Sequence, residues 1–159
     1  MDIAKSILAK IEKHLSDGRD KPFQVSQVAA QKTVEIDAAD GDKFSAVVSR
    51  VSIRSAIGDG GPRTELSQRA SSLARKLDYL SSEFEVIEVD EVRGVAQLRT
   101  AIGEASAPQR HYFELAVSVD GSVTLSRYIY DTGTKSRATA TFVLTHDLFE
   151  RLISDLLDA

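Results

Sequence analysis

The chain has 159 residues, of which 42% are apolar, a net charge of −4 and no cysteine. That size and composition fit one globular domain spanning 1–159 rather than a disordered chain. The missing cysteine removes disulfides, thiolate nucleophiles, iron–sulfur clusters and cysteine zinc sites together. Basic residues are interleaved with acids along the chain, which argues against a duplex nucleic-acid footprint, where phosphate neutralisation drives binding.

The first segment places Ile3, Ile7, Ile11 and Leu15 at intervals of four. That spacing predicts an amphipathic helix over about 3–16, with Asp2 as its cap and Gly18 as its stop. Lys5, Lys10 and Lys13 interrupt its apolar residues, so it has neither the core of a signal peptide nor the length of a membrane span. The expectation is a soluble, cytoplasmic protein.

From Pro22 to Arg54 the period shifts toward two, which predicts a meander of two or three strands with a turn at Asp40-Gly41. In the last of these, Val47, Ser49, Val51 and Ile53 are expected on one face, with Val48 and Arg50 on the other. The stretch RSAIGDGGPR (54–63) then leads into Leu66, Ala70, Leu73, Leu77 and Leu80 at helical spacing. A second helix over about 62–80 follows, Pro62 suiting its first position.

Two strands are expected around Arg93-Gly94. The acids Glu83, Glu85, Glu88, Asp90 and Glu91 crowd the first, a pattern that protects an exposed sheet edge. The hairpin HYFELAVSVDGSVTLSRYIYD (111–131) fixes its own loop length. A two-residue loop at Asp120-Gly121 would mix apolar and polar faces, whereas a three-residue loop with Gly121 at a bulge aligns them. A further strand, SRATATFVL, precedes a final helix capped by Thr145. Consecutive strands joined by short turns predict an α+β domain, a largely antiparallel sheet of about six strands with three helices mainly on one face.

Chemistry finds little anchorage. The glycine stretch follows a strand and opens a helix, the geometry of an anion site. It lacks a Gly-Lys-Ser/Thr ending and a Gly-x-Gly-x-x-Gly series, and Asp59 and Glu65 would repel a phosphate. It reads as a helix-starting turn, with Arg54 and Arg63 the only residues there suited to an anion. A similar word, RTAIGEASAPQR (99–110), leads into a strand instead, so the shared element reads as a strand exit. His14, His111 and His146 are not at metal-ligand spacing and no Gly-x-Ser-x-Gly is present, so no catalytic residue, metal or cofactor is expected.

The hairpin register leaves one irregularity. Arg127 falls on the apolar face between Leu125 and Ile129, with His111 and Asp131 on the same face near the open end. This is either an Arg127–Asp131 structural pair or an anionic-ligand site of His111, Arg127 and Asp131. The opposite face carries Tyr112, Tyr128 and Tyr130, with Tyr112 near Tyr128 or Tyr130, a candidate surface for a protein partner.

The passage VDGSVTLSRYIYD…LTHDLFERLISDLL, a hairpin strand leading to a Leu-rich last helix, resembles type III secretion chaperones, as does SAIGDGGP before a Leu-periodic helix. That resemblance implies a non-enzymatic protein that forms a homodimer and binds an extended segment of another protein. The strands between Arg93 and Val119 depart from the family's compact sheet. The expectation is therefore a binding or adaptor module, the alternative being a small-molecule domain or enzyme built on His111, Arg127 and Asp131.

Overall fold

The computed structural model describes residues 2–102 and 107–159. In chain order they form α1 (Ile3–Ser16), β1 (Phe23–Ala29), β2 (Lys32–Gly41), β3 (Ser45–Ser55), α2 (Leu66–Lys76), β4 (Phe84–Asp90), β5 (Val95–Thr100), β6 (Gln109–Ser118), β7 (Val123–Asp131), β8 (Ser136–Ala140), β9 (Phe142–Thr145) and α3 (His146–Leu157). Among the described residues there are three helices and nine strands, so the fold is α+β and antiparallel as expected but the sheet is larger than six strands.

Helix ends follow their caps. The Asp2 carboxylate accepts from Lys5 N, the Thr145 hydroxyl accepts from Leu148 N, and Gly18 follows the end of α1 at φ 67°. The second helix is shorter than its leucine spacing suggests. Pro62 stays extended, Arg63–Glu65 form one 3-10 turn, and the chain leaves the helical path at Leu77. Leu77 is nonetheless fully buried and Leu80 packs on the core, so their spacing reports burial rather than helix.

The strands run in the order β1-β2-β3-β7-β6-β5-β4, which makes the acid-rich β4 an edge. Turn chemistry sets two of the hairpins. The β2–β3 turn lies at Asp42 rather than Asp40-Gly41, because the Asp42 carboxylate accepts from both Phe44 N and Ser45 N at 2.7 and 2.8 Å. In the β6–β7 hairpin Val117 pairs with Val123 and Ser118 N donates to Ser122 O, leaving the expected three-residue loop with Gly121 at φ 90°.

A bulge at Ser49 reverses the alternation within β3. Arg50 pairs with Asp37 but Val48 pairs with Ala38, so Ala46 and Val48 face inward in the first half and Val51 and Ile53 in the second. The expected single face of Val47 and Ser49 with Val51 is corrected accordingly.

The sheet also forks. β7 pairs with β3 only over Val123–Ser126; beyond that the two strands diverge. The stretch read as one strand, SRATATFVL, fills the gap as two. Its first half, β8, runs along β7, and its second half, β9, turns back along β3.

One face of this sheet carries all three helices. α1 lies on β1 and β2, α2 on β4 and β5, and α3 on β3 and β9. Phe149, Ile7, Ile11, Leu66, Leu73 and Leu152 from the helices meet Ile36, Ile53, Leu98, Leu115 and Leu125 from the strands in one buried core. Burial of such side chains, each worth about 1.5–3 kcal/mol, is what holds helices to sheet.

Candidate functional site

Tyr112 is 5% exposed yet lies outside that core. It belongs to the outer face of the sheet, away from the helices, where alternation places it with Glu114 of β6 and with Tyr128 and Tyr130 of β7. Tyr112 pairs directly with Tyr128, their ring centroids 5.7 Å apart. Neighbouring strands add cations to this face: Arg99 of β5 lies opposite Glu114, and Arg137 of β8 lies opposite Tyr130.

The result is a groove of about 680 Å³ whose lining includes Arg99, Arg110, Tyr112, Tyr130, Lys135 and Arg137, together with the acid Glu114. Each tyrosine has a guanidinium over its ring: Arg137 over Tyr128 at 3.9 Å, Arg99 over Tyr112 at 5.2 Å and Arg110 over Tyr130 at 6.0 Å. Arg137 also donates from Nη1 to Glu114 Oε2 at 2.7 Å and to Tyr112 Oη at 3.2 Å. The Tyr112 hydroxyl and the Glu114 carboxylate hold the Arg137 guanidinium firmly charged, raising its pKa. Arg99 Nη2 reaches the same Glu114 oxygen at 3.5 Å, while its buried Nε finds no acceptor among the described residues.

His111, Arg127 and Asp131 do share the other face, but the structure does not bring them together. His111 is exposed and pairs across the ladder with Ile129. Arg127 donates to the Thr141 carbonyl at 2.8 Å and lies 5.7 Å from the Phe113 ring. The Asp131 carboxylate accepts from Gly133 N and Thr134 N and so shapes the β7–β8 turn. Among the described residues no hydrogen bond or ion pair joins the three, and the expected Arg127–Asp131 pair is not formed.

The glycine stretch is spent on packing. Gly60 N donates to Val119 O at 2.7 Å and Gly61 N to the Asp59 carboxylate at 2.9 Å. Arg54 pairs with Glu35, and Arg63 donates to the carbonyls of Glu91 and Val92. A side chain on Gly60 would stand 2.8 Å from the Gly121 backbone, so this loop is built to lie against the β6–β7 turn. In the second copy of the word, Thr100 ends β5 as Ser55 ends β3, while residues 103–106 lie outside the described residues.

The sequence reading placed the tyrosines correctly but missed Arg99, Lys135 and Arg137. The alternation of Arg99 and Arg137 was visible but their partners were not, because Arg99 faces Glu114 and Arg137 faces Tyr130 only through the β5–β6 and β7–β8 registers, and Lys135 lies in the turn between β7 and β8. Among the described residues no helix is long and apolar enough to cross a membrane, and no cluster of His, Asp and Glu is arranged to hold a metal. The chain matches no protein-family model, no curated protein and no solved structure.

Proposed function

We propose that this protein is a non-enzymatic binding module that recognises another protein, with the tyrosine–arginine groove as its contact surface. The observation that carries the reading is Tyr112, a large side chain buried in a concavity of the outer sheet face rather than beneath a helix. Tyrosine and arginine are the side chains that dominate interface energetics when they line a pocket together. The resemblance to type III secretion chaperones adds the expectation of an extended partner segment and of a homodimer, the latter decided by equilibrium sedimentation.

The test is photocrosslinking in the cells of origin, with p-benzoylphenylalanine in place of Tyr130 and, as control, in place of the exposed Val28 on β1. A discrete protein adduct is expected at position 130, reduced when Tyr128→Ser is added. Adducts at position 28 alone, or small-molecule turnover by the purified protein, would overturn the reading.

A further inference from the structure

We infer that the segment taken by this groove is acidic, its carboxylates received by Arg99, Lys135 and Arg137; the inference rests on reading the groove as a protein-binding site. The charge is locally inverted. In a chain of net charge −4, the described lining sets Arg99, Lys135 and Arg137 around the acid Glu114.

Elsewhere on the outer face arginines are matched one to one, Arg54 with Glu35 and Arg50 with Asp37. In the groove Arg99 and Arg137 share one oxygen of Glu114. A guanidinium has five donors, and a buried donor without an acceptor is costly. Arg99 Nε is buried away from any ligand, but the side chain is 32% exposed and its Nη2 lies 3.5 Å from the oxygen it shares, so its terminal nitrogens keep donors for a second acceptor, and a carboxylate is the planar, charged group that fits them.

The rings fix how that edge is presented. A guanidinium held over an aromatic face has its mobility reduced before any ligand arrives, which lowers the ordering cost of binding. The same arrangement disfavours single-stranded nucleic acid, which needs free ring faces on which bases stack. Tyr112 is buried, and the rings of Tyr128 and Tyr130 have Arg137 and Arg110 over them. An extended peptide needs no such face, and its alternate side chains reach one surface in register.

The probe is a fluorescein-labelled peptide of alternating glutamate and alanine, followed by anisotropy at low salt. Comparison ligands are its glutamine counterpart and a labelled single-stranded RNA. The glutamate peptide is expected to bind and the glutamine peptide to bind at least about tenfold more weakly, with affinity falling as salt rises. Arg99→Gln is expected to weaken binding about tenfold, the scale of one charge-assisted contact. Lys135→Gln, at an exposed turn where folding is not at stake, is expected to weaken it as well, and Lys5→Gln on α1 to leave it unchanged.

Equal binding of the glutamate and glutamine peptides, RNA binding without glutamate-peptide binding, or indifference to both Arg99→Gln and Lys135→Gln would overturn the inference. A protein crosslinked at position 130 whose capture ignores Arg99→Gln would overturn the acidic segment while leaving the binding module in place. Absence of any protein adduct at position 130 would remove both.

Discussion

Arg127 donates to the Thr141 carbonyl at 2.8 Å, and that bond sits at the apex of the fork, where β8 ends against β7 and β9 sets out along β3. The arginine thus closes a backbone group that neither strand ladder serves, and Phe113 meets Phe142 beside it with centroids 5.0 Å apart. Replacing it with methionine keeps the apolar stem and removes the donor. Because Arg127 is half-exposed, Arg127→Met is expected to cost about 1 kcal/mol, less than a fully buried charged hydrogen bond. Urea unfolding measures this, and faster amide exchange at Phe142 locates it; an unchanged midpoint would show that the bond does not hold the fork.

The close approach of Gly60 to Gly121 gives a second expectation. A Cβ at Gly60 meets backbone rather than a flexible side chain, so Gly60→Ala forces two turns apart. The cost is about 1–3 kcal/mol, the usual range for overpacking. Thermal melts of the variant measure it, and a melt identical to the parent's would mean that the loop does not press on the hairpin.

Tyr79 should titrate well above the range of an ordinary phenol. Burial, followed by its hydrogen bond to the Asp155 carboxylate at 2.8 Å, raises its phenol well above the ordinary value of 10.0. A raised pKa means that the folded chain keeps a proton the unfolded chain loses. Stability from this group is therefore complete below pH 10 and declines as pH rises further. Tyr79→Phe should remove this group's share of the alkaline decline and one phenolate absorbance step above pH 10. A difference titration of parent and variant that shows no step lost above pH 10 would mean that burial and Asp155 do not hold the Tyr79 proton.

Glu114→Gln should move stability and binding in opposite directions. The carboxylate is the shared partner of Arg99 and Arg137, and its side chain is only 15% exposed. Its neutralisation leaves two close guanidiniums uncompensated, at about 1–3 kcal/mol. It also removes the internal competitor for an incoming carboxylate, so the glutamate peptide should bind more tightly. Lower melting temperature with higher affinity is the expected pair of results; weaker binding would show that Glu114 positions the arginines rather than competing for them.

Local chemistry was legible wherever one stretch of chain decides the outcome. Asp2, Gly18 and Thr145 marked helix ends, and the hairpin's own face pattern chose its three-residue loop, because each depends on neighbours within a few residues. The break at Thr141 was not legible: SRATATFVL alternates evenly, and it splits because its halves pair with different strands. The Ser49 bulge escaped for the same reason. Leu77 and Leu80 misled the helix boundary because a buried leucine leaves the same periodic mark whether its backbone is helical or not. The tyrosine half of the groove lay within one hairpin and could be read. Arg99 and Arg137 came from β5 and β8, whose registers are settled by the whole sheet.

The two ends of the described chain lie together, Asp2 and Asp158 lining one small cleft between α1 and α3. Both helices belong to the layer opposite the groove, so the sheet stands as a partition between the described chain ends and the groove proposed as the contact surface. Anything joined to either end, whether a fused domain, a bead or a label, departs from the far side of that partition. Immobilised by an end, the molecule presents Tyr128 and Arg137 outward.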